Sequence, residues 1–268
     1  MRPFVDPEWL SDHPEAVLVD VRSYLDGRSG REAYERGHLP GAVFVDLGQV
    51  LAAAPTAELG RHPLPTPDVF AAGLSEVGIG DDDLVVAYDD DSGAMASRLV
   101  WLLRITGHEA ALLEGGYAGW HGRREPGVTL RPAATFTATP WPGDRFVEMD
   151  DLLGLAVLDA RPPERFRGDV EPMDARPGHV PGAISLSCRA NVGPDGRLLP
   201  VPELRRRLAP LTTDPWVSMC GSGVTACHTL LVAEHLGLPA GRLYPGSWSQ
   251  WAATDRPAEI GEQSWTSS

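Results

Sequence analysis

The segment WVSMCGSGVTACHTLL, residues 216–231, sets a cysteine where an apolar, β-prone run gives way to glycines and then to a helix-like stripe. Gly221 and Gly223 let the backbone fold tightly enough for successive N–H groups to point into one concavity, an anion nest. Thr225 is the expected helix N-cap. Ala226, Leu230, Ala233 and Leu236 form the apolar stripe, and Gly237 the stop. The positive end of the helix reinforces the nest. A sulfur held there is stabilised as an anion, so Cys220 is the candidate nucleophile, with Gly221, Ser222, Gly223, Val224 and Thr225 as its anion-binding loop.

Several other readings of this loop are weaker. A free cysteine is often only a small buried hydrophobe, but packing alone does not require the Gly-Ser-Gly context. Cys188 and Cys227 lack that context and are assigned to structure. The neighbours Cys227 and His228 have no Cys-x-x-Cys or matching His pair, so no metal is expected. A cysteine-dependent phosphatase loop needs an arginine six residues after the nucleophile, where this chain has Ala226. A nucleotide P-loop fails for want of Gly-Lys-Ser/Thr.

The elements that position this loop are legible because the chain repeats itself. LVDVRSYLDGRSGREAYERGHLPGAVFVDL at 18–47 is echoed by VLDARPPERFRGDVEPMDARPGHVPGAISL at 157–186, and 84–120 is echoed by 216–251. Each copy is domain-sized. The runs 17–21, 84–88, 156–159 and 216–219 are short, continuous and apolar, and they alternate with helix-like segments. That pattern predicts an α/β fold with a mostly parallel sheet covered on both faces. The expected organisation is an N-terminal domain at 1–124, a Pro- and Thr-rich surface linker at 125–143, a catalytic domain at 144–258 and a frayed tail at 259–268.

Composition bounds the partners. The chain has 268 residues with a net charge of −14, and every one of its 23 basic residues is arginine. Binding to nucleic acid or an anionic membrane is therefore not expected. No apolar run approaches the ~20 residues of a membrane helix, and the N-terminus lacks the apolar core of a signal peptide. Three cysteines do not make a disulfide framework, and a cytoplasmic protein is expected.

The tandem repeat, the two Gly-His-x-Pro-Gly-Ala motifs and the loop CGSGVTAC resemble two-domain rhodaneses, and within them the 3-mercaptopyruvate branch. FRG before EP, and GSWSQW near the end, extend the resemblance over about 5–255. It implies two tandem rhodanese-like domains, each a mostly parallel sheet flanked by helices, with the second catalytic and the site at the domain interface. It further implies transfer of sulfur from 3-mercaptopyruvate to a thiol, cyanide or thioredoxin-like acceptor through a Cys220 persulfide, without cofactor. Under it Arg165 binds the substrate carboxylate, and Asp46 and His62 form a relay with Ser222. The first copy has Asp89 in place of Cys220, so that domain is read as catalytically silent. His38 and His179 occur in both copies and are read as structural. One departure is Met173, where family members often carry a second carboxylate-binding arginine; either Arg176 or Arg161 substitutes for it, or one arginine suffices. The alternatives are a thiosulfate sulfurtransferase and a non-catalytic binding or sensor module of the same fold.

Overall fold

Nine short strands build two parallel sheets in the computed structural model, which describes residues 1–152, 154–212 and 215–262. The chain divides into two compact units, neither continuous in sequence. One comprises Met1–Ala53, Leu64–Pro142 and Val192–Leu198; the other comprises Ala54–Pro63, Gly143–Asn191 and the chain from Leu199 onward. The sequence division at 1–124 and 144–258 has no place for these two exchanged segments.

The first unit runs β1 (Phe4–Val5), α1 (Pro7–Asp12), β2 (Val17–Asp20), α2 (Gly30–Arg36), β3 (Val43–Phe44), α3 (Leu47–Val50), α4 (Pro67–Glu76), β4 (Val85–Tyr88), α5 (Ser97–Ile105), β5 (Ala110–Leu113) and α6 (Gly116–Gly119). Its sheet order is β1-β5-β4-β2-β3, every pair parallel. All four residues of β4 and of β5 are buried, as strands covered on both faces must be. Asp6, Ser29, Asp46 and Thr66 each cap a helix by accepting a backbone N–H of its first turn.

The second unit runs β6 (Ala156–Asp159), α7 (Pro163–Arg167), β7 (Ile184–Ser185), α8 (Val201–Arg207), β8 (Trp216–Met219), α9 (Ala226–His235), β9 (Arg242–Leu243) and α10 (Ser247–Trp251). Its sheet order, β7-β6-β8-β9, repeats β3-β2-β4-β5. Phe146 bridges Leu243 in parallel, occupying the place that β1 fills in the first unit. Val157, Val217 and Met219 project from the strands into a core with Phe166, Tyr244, Trp248 and Trp251.

The sequence repeat has a physical counterpart. Asp20 and Arg22 form a buried pair at 2.7 Å, and Arg22 Nη2 also donates to the Gly37 carbonyl. Asp159 and Arg161 do the same at 2.7 Å, with Arg161 donating to Gly178. The histidine that follows is stacked on an aromatic ring in each copy, His38 on Tyr34 and His179 on Phe166. Each also pairs its backbone with a glutamate, Glu125 or Glu259, whose carboxylate takes the N–H of Gly41 or Gly182. These contacts brace the turn into the next strand, a structural role for both histidines.

The expected tail departs from expectation in its first residues. Glu259 is locked to His179 by two backbone hydrogen bonds, and Gly261 N–H donates to the Arg167 carbonyl, so 259–262 is tied down. The remainder of the expected tail, 263–268, lies outside the described residues. The linker is pinned to the first unit: Phe136 is buried against Phe70, and Trp141 Nε1 donates to the Pro65 carbonyl.

Candidate active site

β6 and β8 are adjacent and parallel, and their connections leave toward opposite sides of the sheet, since β6 leads to the edge strand β7 and β8 to the edge strand β9. Ligands of open parallel sheets bind outside the carboxyl ends of such a pair. Asp159 pairs with Met219 at that end, so the residue that follows β8 is Cys220, and the chain leaving β6 reaches Arg165 on α7.

The Cys220 loop is held from outside. Trp248 and Ser249 N–H groups, at the start of α10, donate to the Cys220 and Gly221 carbonyls at 3.0 and 2.9 Å. Because a trans peptide points N–H opposite to C=O, the amides of Gly221 and Ser222 are turned away from α10, as a nest requires. Gly223 has φ +75°, and a β-carbon there would fall 2.5 Å from the Pro245 carbonyl oxygen. Val224 is buried, and its carbonyl receives the Cys227 N–H as the chain turns into α9. Thr225 occupies the N-cap position but makes no side-chain capping bond. Gly237, at φ +66°, ends the helix as expected.

Ser247 was not singled out from sequence, yet it fixes the nucleophile. Its hydroxyl accepts the Cys220 N–H at 3.1 Å and donates to the Tyr244 carbonyl at 2.9 Å. It is fully buried and held at φ +52°, a costly backbone for a residue with a side chain. The signal available was the serine inside GSWSQW.

Cys220 itself is buried, 2% exposed, and Ser222 is 7% exposed. Ser222 Oγ lies 2.8 Å from His62 Nδ1, so the loop hydroxyl and a ring that can exchange protons form one unit. His62 reaches it because 54–63 belongs to the same compact unit as Cys220. Gly60 lets this segment approach: a β-carbon there would fall 2.6 Å from the Gly246 carbonyl oxygen. Asp46 belongs to the other unit, where its carboxylate caps α3 by accepting the Gln49 N–H at 3.0 Å.

Arg165 lies against the loop. Its Nη1 lies 3.4 Å from the position a Gly221 β-carbon would take, while its Nη2 binds Glu171 and Asp174 at 2.7 and 2.9 Å. Neither proposed substitute for the arginine missing at Met173 is available. Arg161 is 1% exposed and locked to Asp159, and Arg176 donates to the carbonyls of Trp251 and Arg256. Arg61, which sequence reasoning passed over, is the second guanidinium at the loop, with Nη2 3.0 Å from the same Gly221 position.

The first unit displays what such a loop binds. Asp89 follows β4 as Cys220 follows β8, and its fully buried carboxylate accepts the N–H groups of Asp91, Gly93, Met95 and Ala96 at 2.7–2.9 Å. Burial pushes this carboxyl up to about 6, against the pull of the amides. The strand-to-helix loop of this fold is an anion nest, filled here by the chain's own side chain. Cys188 and Cys227 are buried in structural positions: the first opens a 3-10 turn, and the second donates its thiol to the Gly223 carbonyl. Among the described residues no cluster of His, Cys, Asp and Glu is placed to hold a metal, and no helix is long and apolar enough to cross a membrane.

Comparison with known proteins follows the same lines. The rhodanese-like domain family matches residues 6–123 and again 144–254. A Pseudomonas aeruginosa protein named "Probable 3-mercaptopyruvate sulfurtransferase" is 40% identical, over 93% of this chain and 94% of its own. A Mycobacterium tuberculosis protein named, provisionally, as a thiosulfate sulfurtransferase is 38% identical over 88% of this chain and 87% of its own. Among solved structures, the 3-mercaptopyruvate sulfurtransferase from Leishmania major superposes with a TM-score of 0.85 at 31% identity, covering 96% of this chain and 75% of that one.

Proposed function

The chain belongs to the rhodanese family, and on that premise we propose that it is a sulfurtransferase that takes sulfur from 3-mercaptopyruvate onto Cys220. The observation that carries the choice of donor is the Ser222–His62 hydrogen bond of 2.8 Å. It puts a hydroxyl, backed by a proton-exchanging ring, in the loop that holds the nucleophile. That arrangement suits a donor with a carbonyl oxygen to polarise.

In the first half-reaction the Cys220 thiolate attacks the donor sulfur. The new S–S bond forms as the S–C bond breaks, and its electron pair leaves on carbon as the enolate of pyruvate. The enolate takes up a proton, passed through Ser222 and His62, and the donor's own thiol proton balances the exchange. Cys220 is left as a persulfide, held as an anion in the amide nest that Gly221, Gly223, Val224 and Thr225 shape. In the second half-reaction an acceptor thiolate, or cyanide, takes the outer sulfur and restores the Cys220 thiolate. A reduced thioredoxin-like protein is an acceptor of this chemistry. We place it in the cytoplasm on the cysteine usage of the sequence, an odd three in a long chain. The N-terminal repeat is catalytically silent, because the Asp89 carboxylate cannot carry sulfur.

A second reading, thiosulfate as donor, is favoured by one feature. Two guanidiniums, Arg61 and Arg165, flank Gly221 although the chain has no lysine. Initial rates with the two donors side by side test the choice. The expected result is a kcat/KM for 3-mercaptopyruvate at least about tenfold higher, roughly 1.4 kcal/mol in the barrier. Faster turnover of thiosulfate would replace the proposed donor.

A further inference from the structure

Ser249, on the first turn of α10, is bonded to both of the segments that meet at Ser222 and His62. Its N–H donates to the Gly221 carbonyl at 2.9 Å, one residue before Ser222. Its Oγ accepts the Arg61 N–H at 3.0 Å, one residue before His62. With the 2.8 Å contact between Ser222 Oγ and His62 Nδ1, these bonds close a ring through Gly221, Ser222, His62, Arg61 and Ser249.

The hydroxyl is oriented for this contact. Its proton goes to the Gly246 carbonyl at 3.0 Å, which leaves the oxygen lone pairs to accept from Arg61. Gly60 lets the backbone close on it, since a β-carbon there would lie 2.8 Å from Ser249 Oγ. Segment 54–63 has two further fastenings. Gln250 Nε2 donates to the Glu58 carbonyl at 2.5 Å, and Asp174 holds the Arg61 guanidinium at 2.7 Å. Gln250 acts on the backbone well before His62, and Asp174 acts at the tip of a long side chain. Of the three, Ser249 is the one that acts on the backbone beside His62. A proton passes between two groups only at hydrogen-bond distance, so a shift of about 1 Å in the ring matters more than the modest energy of the clamp.

We infer that Ser249 is a positioning residue for the proposed sulfur transfer, holding His62 against Ser222 by clamping both segments through one hydroxyl and one amide. The inference rests on the reading of Ser222 and His62 as a proton path, and one arm of its test does not. Ser249→Ala removes the hydroxyl and keeps the N–H to Gly221. It should lower kcat with 3-mercaptopyruvate about tenfold while KM stays nearly constant, because displacing a proton-transfer group costs rate more than ground-state binding. Ser249→Thr, which keeps a hydroxyl, should recover most of the loss. In a His62→Gln background Ser249→Ala should cost almost nothing further, the signature of residues acting through one contact. The second arm is histidine NMR of the donor-free protein, in which Ser249→Ala and Ser222→Ala should move the His62 ring resonances alike. The same loss in both backgrounds would make Ser249 a support of the Cys220 loop. No loss where His62→Gln has one, or unmoved His62 resonances, would mean that the hydroxyl does not place the ring. Each of these results overturns the inference. Shifted resonances with kcat unchanged in both Ser249→Ala and His62→Gln would uphold the placement and reject only the proton path.

Discussion

Ser222 Oγ and His62 Nδ1 lie 2.8 Å apart although 160 residues separate them in sequence. The bond joins a residue of the nucleophile loop to a segment that the first half of the sequence contributes to the second unit. In the proposed mechanism it supplies an acid for a carbonyl-bearing donor, whereas thiosulfate has no carbonyl to polarise.

Ser222→Ala should therefore lower kcat with 3-mercaptopyruvate by about a hundredfold or more, within the range for removing a proton-transfer or oxyanion partner. His62→Gln should act in the same direction. Any turnover of thiosulfate should change far less in both variants. Equal losses with both donors would reduce the pair to a structural tie.

Asp46→Asn keeps an oxygen for the Gln49 amide and removes only the charge. A relay with His62 requires kcat to fall in step with His62→Gln while stability holds. A cap alone requires both to stay within a few tenths of a kcal/mol of the parent, as conservative N-cap exchanges do.

Gly221 and Gly223 should respond differently to a methyl group. At Gly223 a β-carbon would meet backbone, the Pro245 carbonyl oxygen at 2.5 Å, and φ is +75°. Gly223→Ala should cost about 1–3 kcal/mol of stability in urea unfolding, as strained backbone does, and activity with it. At Gly221 the nearest atoms are the side-chain tips of Arg61 and Arg165. Gly221→Ala should leave unfolding nearly unchanged and raise KM by crowding the donor. The reverse order would mean that the loop is not shaped as described.

The Asp89 carboxyl, raised to about 6 by burial, makes stability depend on pH. A carboxyl raised in the folded state stabilises the protein fully below its unfolded value near 3.8, and that contribution is lost as pH rises through 6. Asp89→Asn removes this dependence. It should be the less stable protein at pH 4, where it lacks both the raised carboxyl and the four-amide acceptor. Its deficit should shrink by up to about 3 kcal/mol by pH 7. Sulfur transfer per folded molecule should not change at either pH. A deficit independent of pH would show that the nest, not burial, sets the ionisation of Asp89.

Much of this was legible because local signals agreed with the fold. The four apolar runs became β2, β4, β6 and β8 to within a residue at each end, since continuous apolar stretches bounded by turn residues have few alternatives inside a parallel sheet. Cys220 was readable because its chemistry is local: glycines, strand end and helix start all lie within a few residues. Arg61 was not readable, because its role depends on where 54–63 packs, and no periodicity encodes that. Ser247 was hidden for a similar reason, its partner being the amide of Cys220 across the sheet end. Arg161 as a substrate ligand was an avoidable expectation. Asp-x-Arg occurs in both copies, including the one with Asp89, and the reasoning that made His38 and His179 structural applies equally to Arg22 and Arg161.

The central claim, that Cys220 alone carries sulfur, is tested most directly by intact mass and peptide mapping after brief incubation with 3-mercaptopyruvate and removal of excess donor. One added sulfur, about 32 Da as a persulfide, should map to Cys220, vanish on addition of cyanide or a thiol, and be absent from Cys220→Ser. Sulfur on Cys188 or Cys227, or turnover sustained by Cys220→Ser, would contradict it.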